Sequence, residues 1–214
     1  MWFIFRSIKF TLGISFLLTF CQSSYALPCN YETWDWDTVQ KKSVNHRKVK
    51  KSKSELDQAE RGKTPGCSVC EEDQVEIHIE SLPTFKVCKK LEEKITRSIR
   101  IAYSKGFPFE SIVGYRVGKS KGPLNSFGQR TEFSNHSFGT AIDFNSEKNG
   151  LYDFCIRFGP DCKLLRGGLY KENVPGSITR ESAIYQALTD EGMKWGGEMS
   201  GKQKDFMHFS LNGM

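Results

Sequence analysis

At 214 residues with 38% apolar and 26% charged residues, the chain can bury one core comfortably and two only with difficulty. Its formal charge is +6, and it would fall to +4 if the first 26 residues, with Arg6 and Lys9, were removed. Those residues read as a secretory signal: a short basic start, an apolar run from Phe10 to Phe20, and Ser24-Tyr25-Ala26 before the cut. The apolar run is too short for a spanning helix. A lipid-anchored reading would use Cys21, against which the bulky Phe20 argues. A secreted or periplasmic location follows, and it makes nucleic acid an unexpected partner.

Removing the signal leaves Cys29, Cys67, Cys70, Cys88, Cys155 and Cys162, an even set that favours disulfides in an exported chain. Six cysteines allow 15 pairings, of which Cys155 with Cys162 is the nearest guess. Cys67-Ser68-Val69-Cys70 has the spacing of a redox motif, but no strand-then-helix context surrounds it. It has no second CxxC to complete a zinc site either. Two separate disulfide partners is the plainer expectation.

Residues 27–72 read as a basic, loosely structured N-terminal segment, and 73–214 as the functional domain. Lys41, Lys42, Arg47, Lys48, Lys50, Lys51 and Lys53 crowd one polar stretch. As a solvated linker it needs no partner; as a functional patch, residues 41–53 would be weakly attracted to an anionic wall or membrane surface. A short helix is expected over 54–61, capped by Ser54. Val75, Ile77 and Ile79 alternate with Glu76, His78 and Glu80, a half-buried strand with His78 on its wet face. The spacing of Val87, Leu91, Ile95, Ile99 and Ala102 predicts a helix over 85–104, ended by Gly106 and Pro108. Strands are expected over 111–116, 138–144 and 205–211, with a helix over 178–191. This order gives an α+β domain, a small antiparallel sheet with helices packed on one side.

The chemistry lies in two segments. In Ser134-Asn135-His136-Ser137-Phe138-Gly139-Thr140-Ala141-Ile142-Asp143, the histidine and aspartate are an odd number of residues apart. A straight strand would point them to opposite faces, so they converge only if the chain turns near Phe138-Gly139. In Asp205-Phe206-Met207-His208-Phe209, the i, i+3 pair likewise needs a local bend. His136, Asp143 and His208 supply three nitrogen and oxygen ligands and leave a fourth position open, the composition of a catalytic zinc site. Asp205 is then a carboxylate beside the metal, suited to act as general base. His46 lies in the basic stretch and is assigned no role.

The pattern S-x-H-x-x-G-x-A-x-D, with W-G-G and D-x-x-H-F after it, resembles the VanY-like D-alanyl-D-alanine carboxypeptidases. It is also similar to endolysins that cut L-alanyl-D-glutamate bonds, and more distantly to lysostaphin-type and Hedgehog-type zinc folds. The likeness covers roughly residues 88–211. It implies zinc as cofactor on His136, Asp143 and His208, Asp205 as catalytic base, and Arg116 as the cation that steadies an oxyanion. Ser134, Tyr115 and Trp195 are implied at the substrate site, with Trp195 better suited to packing beneath the metal. The expected function is zinc-dependent hydrolysis of a peptide bond in peptidoglycan stem peptides by a monomer, of D-Ala-D-Ala carboxypeptidase type. An L-Ala-D-Glu-type endopeptidase and a non-catalytic, zinc-containing wall-binding module are the alternatives. A carboxypeptidase needs a cation for the terminal carboxylate, which Lys119, Lys121 or Arg130 would supply. Two departures fall near the pocket: Met199 stands where the family has a second aromatic, and an insert spanning 148–178 carries Cys155 and Cys162.

Overall fold

A computed structural model describes residues 26–213; the signal sequence read over 1–26 lies outside them, except for Ala26. The chain opens with a long antiparallel hairpin, β1 (Pro28–Asp37) and β2 (Lys42–Ser52). A short helix α1 (Gln58–Arg61) and two strands, β3 (Gln74–Ile77) and β4 (Phe85–Cys88), lead to α2 (Glu92–Ser104). Then come β5 (Ile112–Val113), β6 (Lys119–Leu124), β7 (Arg130–Phe133), β8 (Ala141–Phe144), β9 (Leu151–Asp153) and β10 (Lys163–Arg166). Helix α3 (Ala183–Asp190), β11 (Lys194–Trp195), β12 (Lys204–Asp205) and β13 (His208–Ser210) complete the described chain.

The class is α+β, but the strands form several small sheets rather than the one expected. Their orders are β2-β1-β6-β7, β11-β13-β8-β5, β10-β9-β12 and the pair β3-β4. The sheet holding β8 and β13 carries the main core. Ile142, Phe144 and Phe209 from it meet Ile95 and Ile99 of α2 and Ile184 and Leu188 of α3. Each such aliphatic side chain contributes roughly 1.5–3 kcal/mol on burial. Ser98 fixes the two helices to each other by donating its hydroxyl to the Ala187 carbonyl at 2.9 Å.

Three expectations for the first half of the chain are corrected. The loosely structured reading of 27–72 fails because β1 has an inward face: Cys29, Tyr31 and Thr33 are buried at alternate positions. With Leu56, Val69, Cys70 and Val117 they belong to, or line, a second apolar cluster. The basic run lies on β2, an edge strand, where lysines deter pairing with another chain. Disulfides Cys29–Cys70 and Cys67–Cys88 tie the hairpin to the rest, so Cys67 and Cys70 do have separate partners; Cys155 pairs with Cys162. The helix expected over 85–104 begins only at Glu92, because Phe85–Cys88 pairs with β3 in a two-stranded ladder. The helix expected over 54–61 is also shorter, and Asp57 caps it rather than Ser54.

Glu60 locks this N-terminal part. It is buried, accepts a hydrogen bond from the Tyr31 hydroxyl and binds the Lys51 ammonium at 2.6 Å. Burial pushes its carboxyl up, but the bonds from Lys51, Tyr31 and the Asp57 backbone outweigh this and hold it below the ordinary value. Such a group stabilises the fold above its unfolded pKa and loses that contribution as the pH falls through the folded one. Glu60→Gln is therefore expected to cost about 2 kcal/mol at pH 7, with the deficit shrinking on acidification. Urea unfolding at pH 7 and pH 3 measures both; a variant as stable as the parent at pH 7 would show that the hairpin is an appendage.

Candidate metal centre and active site

Three elements bring the site together. After β7 the chain makes a 3-10 turn over Asn135–Phe138, which carries His136, and then reverses at Gly139. Gly139 has φ +62°, and a Cβ there would lie 2.1 Å from Gln74 Oε1 and 2.4 Å from the Cys88 amide nitrogen. Only glycine fits both the left-handed backbone and that approach. This is the turn the odd spacing demanded, and it returns the chain into β8, whose four residues are all buried. Asp143 on β8 stands directly across from His208 on β13, so the two side chains share one face of the sheet.

The i, i+3 spacing of Asp205 and His208 resolves differently from a bent strand. Asp205 ends β12 and pairs with Leu151 in one sheet, whereas His208 begins β13 in another. Phe206 and Met207 carry the chain between the sheets. Phe206 is held there by Tyr170, stacked on it at 3.7 Å between ring centres, and by Phe158 from the disulfide-closed loop. The expected single strand over 205–211 is thus two short ones.

The ligand atoms form a near-equilateral triangle. His136 Nε2 lies 3.0 Å from Asp143 Oδ1 and 3.3 Å from His208 Nδ1, and His208 Nδ1 lies 2.9 Å from the same Asp143 oxygen. Ligands at ~2.0–2.1 Å from a tetrahedral zinc are separated by ~3.3 Å, so the donor set fits that ion. The protonation state agrees. His136 Nδ1 sits 2.8 Å from the Gly114 carbonyl, which takes the ring proton there and turns the Nε2 lone pair inward. Burial, helped by the Arg116 charge, lowers His136 to about 4, so the ring is neutral at pH 7. Burial opposes ionisation of Asp143, but the two imidazoles overcome it and hold the carboxyl well below the ordinary range. Converging lone pairs in a dry site call for a cation.

Buried polar atoms of the residues that form or adjoin this triangle lack a hydrogen-bond partner among the described residues: His208 Nε2, Asp205 Oδ1 and Arg116 Nε, with Ser134 Oγ at the start of the turn that carries His136. Buried polar atoms are almost always paired, so their concentration here marks a place where something else binds. Arg116 also donates from a terminal nitrogen to Asp143 Oδ2 at 3.3 Å, which anchors its guanidinium beside the ligand carboxylate. Burial, with a contribution from Asp143, raises Asp205 to about 6, against the opposing charges of His208, Arg166 and Lys121.

Tyr115 and Trp195 are engaged elsewhere: the Tyr115 hydroxyl donates to the Val69 carbonyl, and the Trp195 indole N–H to the Phe206 carbonyl. Of the three candidate cations, Lys119 lies over the Phe133 ring and Arg130 donates to the Gly122 carbonyl. Lys121 is the one that senses Asp205 and Asp143; burial lowers its pKa, and these carboxylates oppose that. Sequence reading missed Gly114 and Arg166, a backbone carbonyl and an ordinary surface arginine that carry no sequence signal. His78 and His46 are exposed, as their positions implied.

Residues 128–211 match a family model described as D-alanyl-D-alanine carboxypeptidase. The match spans both motifs and all three candidate ligands, and it supports the VanY-like peptidase family to which they point. Comparison with curated proteins and with solved structures returns no match.

Because the fold raises the Asp205 pKa, the carboxylate costs stability as pH rises from its ordinary value of 3.8 to about 6. Asp205→Asn should therefore stabilise the metal-free protein above pH 6 by up to about 3 kcal/mol and leave it unchanged at pH 4. Denaturant midpoints across pH 4–8 give the answer; a gain independent of pH would remove the titration argument.

Proposed function

We propose that this protein is a zinc peptidase that hydrolyses a peptide bond in peptidoglycan stem peptides, acting as a D-Ala-D-Ala-type carboxypeptidase. The observation that carries the reading is the buried triangle of His136, Asp143 and His208, with Asp205 beside it, unpaired and shifted towards neutrality. When bound, zinc would polarise the scissile carbonyl and bring the pKa of water down to ~7. Asp205 accepts the proton of the attacking water and passes it to the leaving amine, a transfer suited to a carboxyl poised near the working pH. Arg116, held by Asp143, faces the oxygen on which negative charge develops. Ser134 orients the substrate through its free hydroxyl, and Tyr115 and Trp195 shape the wall rather than bond to it. Lys121 favours the carboxypeptidase over the endopeptidase reading, since a fixed cation near the base can hold a terminal carboxylate.

The three disulfides are compatible with an extracytoplasmic protein, and export would place the enzyme beside this substrate. In the same reading the protein acts as a monomer, and residues 41–53 add weak attraction to an anionic surface.

Incubation with muropeptides followed by mass spectrometry should show loss of one D-alanine, abolished by a chelator and restored by zinc. His208→Ala should lose the metal. Asp205→Ala should retain it while kcat falls by about 10²–10⁴. Zinc-loaded protein that leaves every muropeptide intact would reduce the site to a binding module, and full activity in both variants would refute the mechanism.

A further inference from the structure

Beyond the metal site, a cavity of about 490 Å³ opens between the N-terminal hairpin and the segment Tyr115-Arg116-Val117. Its size falls in the range of small-ligand sites. The hairpin is seated firmly there. Trp34 packs on the Gly118 backbone so closely that a Cβ on Gly118 would lie 2.3 Å from the indole ring, and β1 pairs with β6 through Asp35 and Lys119. Trp34 and Thr33 line the cavity from one side, and Arg116 lines it from the other.

Two features indicate what would bind. Thr33 is 2% exposed and its hydroxyl has no partner among the described residues; the Arg116 Nε–H, also buried, has none either. An orphaned guanidinium N–H can only be satisfied by an acceptor. Four cations line the cavity; Arg47 is paired with Asp35 at 3.2 Å and Arg116 with Asp143 at 3.3 Å, which leaves Lys48 and Lys86, with Glu32 and Glu71, as the pairs open to exchange. The Lys48–Glu32 pair is largely exposed and the Lys86–Glu71 pair is long at 3.8 Å. Such pairs are worth little and exchange readily for a better anion. Arg116 also joins the cavity to the metal centre through its bond to Asp143. A chain lying in the cavity therefore runs up to the residue proposed to face the scissile carbonyl.

We propose that this cavity is a substrate subsite, walled by the N-terminal hairpin, that holds a carboxylate-bearing stretch of peptide beside the scissile bond. The inference rests on the peptidase reading for the identity of the ligand but not for the existence of the site. The hairpin lies outside the segment 128–211 that matches the peptidase family model.

The test is calorimetric. Zinc-loaded Asp205→Asn protein, chosen to suppress turnover, is titrated with a stem tetrapeptide carrying a free D-glutamyl α-carboxylate and with the same peptide as the carboxamide. The same titrations are run after adding Lys48→Gln and Lys86→Gln, two exposed changes. The free carboxylate should bind about tenfold more weakly to the added variant, with the carboxamide unaffected. Equal affinities for the two peptides, equal losses for both, or no measurable binding would each overturn the proposal. Muropeptide turnover by the parent protein is scored separately. Carboxylate-selective binding without hydrolysis would therefore defeat the peptidase reading and leave the subsite standing.

Discussion

A single oxygen, Asp143 Oδ1, lies 3.0 and 2.9 Å from a ring nitrogen of each histidine, while the other carboxylate oxygen accepts from Arg116. Ionising a carboxyl in so dry a place is costly, and the surrounding positive and hydrogen-bonding groups offset that cost. The rest of the site depends on this. With Asp143 charged, His136 is kept in one tautomer by Gly114, Arg116 is anchored, and Asp205 feels a second negative charge that favours its neutral form. Two buried carboxylates thus titrate far apart, Asp143 held ionised and Asp205 held nearer neutrality by that charge and by burial.

The scaffold serves that arrangement by placing short strands where their ends are needed. β8 and β13 set Asp143 opposite His208, and the passage from β12 to β13 lets Asp205 approach from another sheet. The disulfide-closed loop contributes Phe158 against Phe206, the residue after Asp205, so the insert buttresses the chain that carries Asp205. The N-terminal hairpin does the corresponding work on the far side, where its packing on Gly118 abuts Arg116. Residues far apart in sequence are thereby held around one small polar space.

Much of the site could be read from residue types and spacing. His136, Asp143 and His208 were legible because three ligand-type side chains fell within two motifs, and because a glycine stood where the odd separation required a turn. The paired state of the cysteines was legible from their even count. Less could be read where burial pattern and chain order gave conflicting signals. Phe85 and Val87 fit a helical period as well as a strand, and their pairing with Val75 and Ile77 decided for the strand. The basic run hid the hairpin, because polar residues on an edge strand have the composition of a linker, while its inward face is carried by β1 instead.

The sequence by itself determined the ligand types, the need for a turn at Gly139 and the α+β class, since these follow from side-chain chemistry and local backbone freedom. Tertiary structure alone decided the rest. Strand register brought Asp143 and His208 face to face, a sheet change separated Asp205 from His208, and long-range packing folded residues 27–72 against Tyr115 and Val117. Those outcomes depend on contacts between distant segments, whose free energy no local pattern encodes.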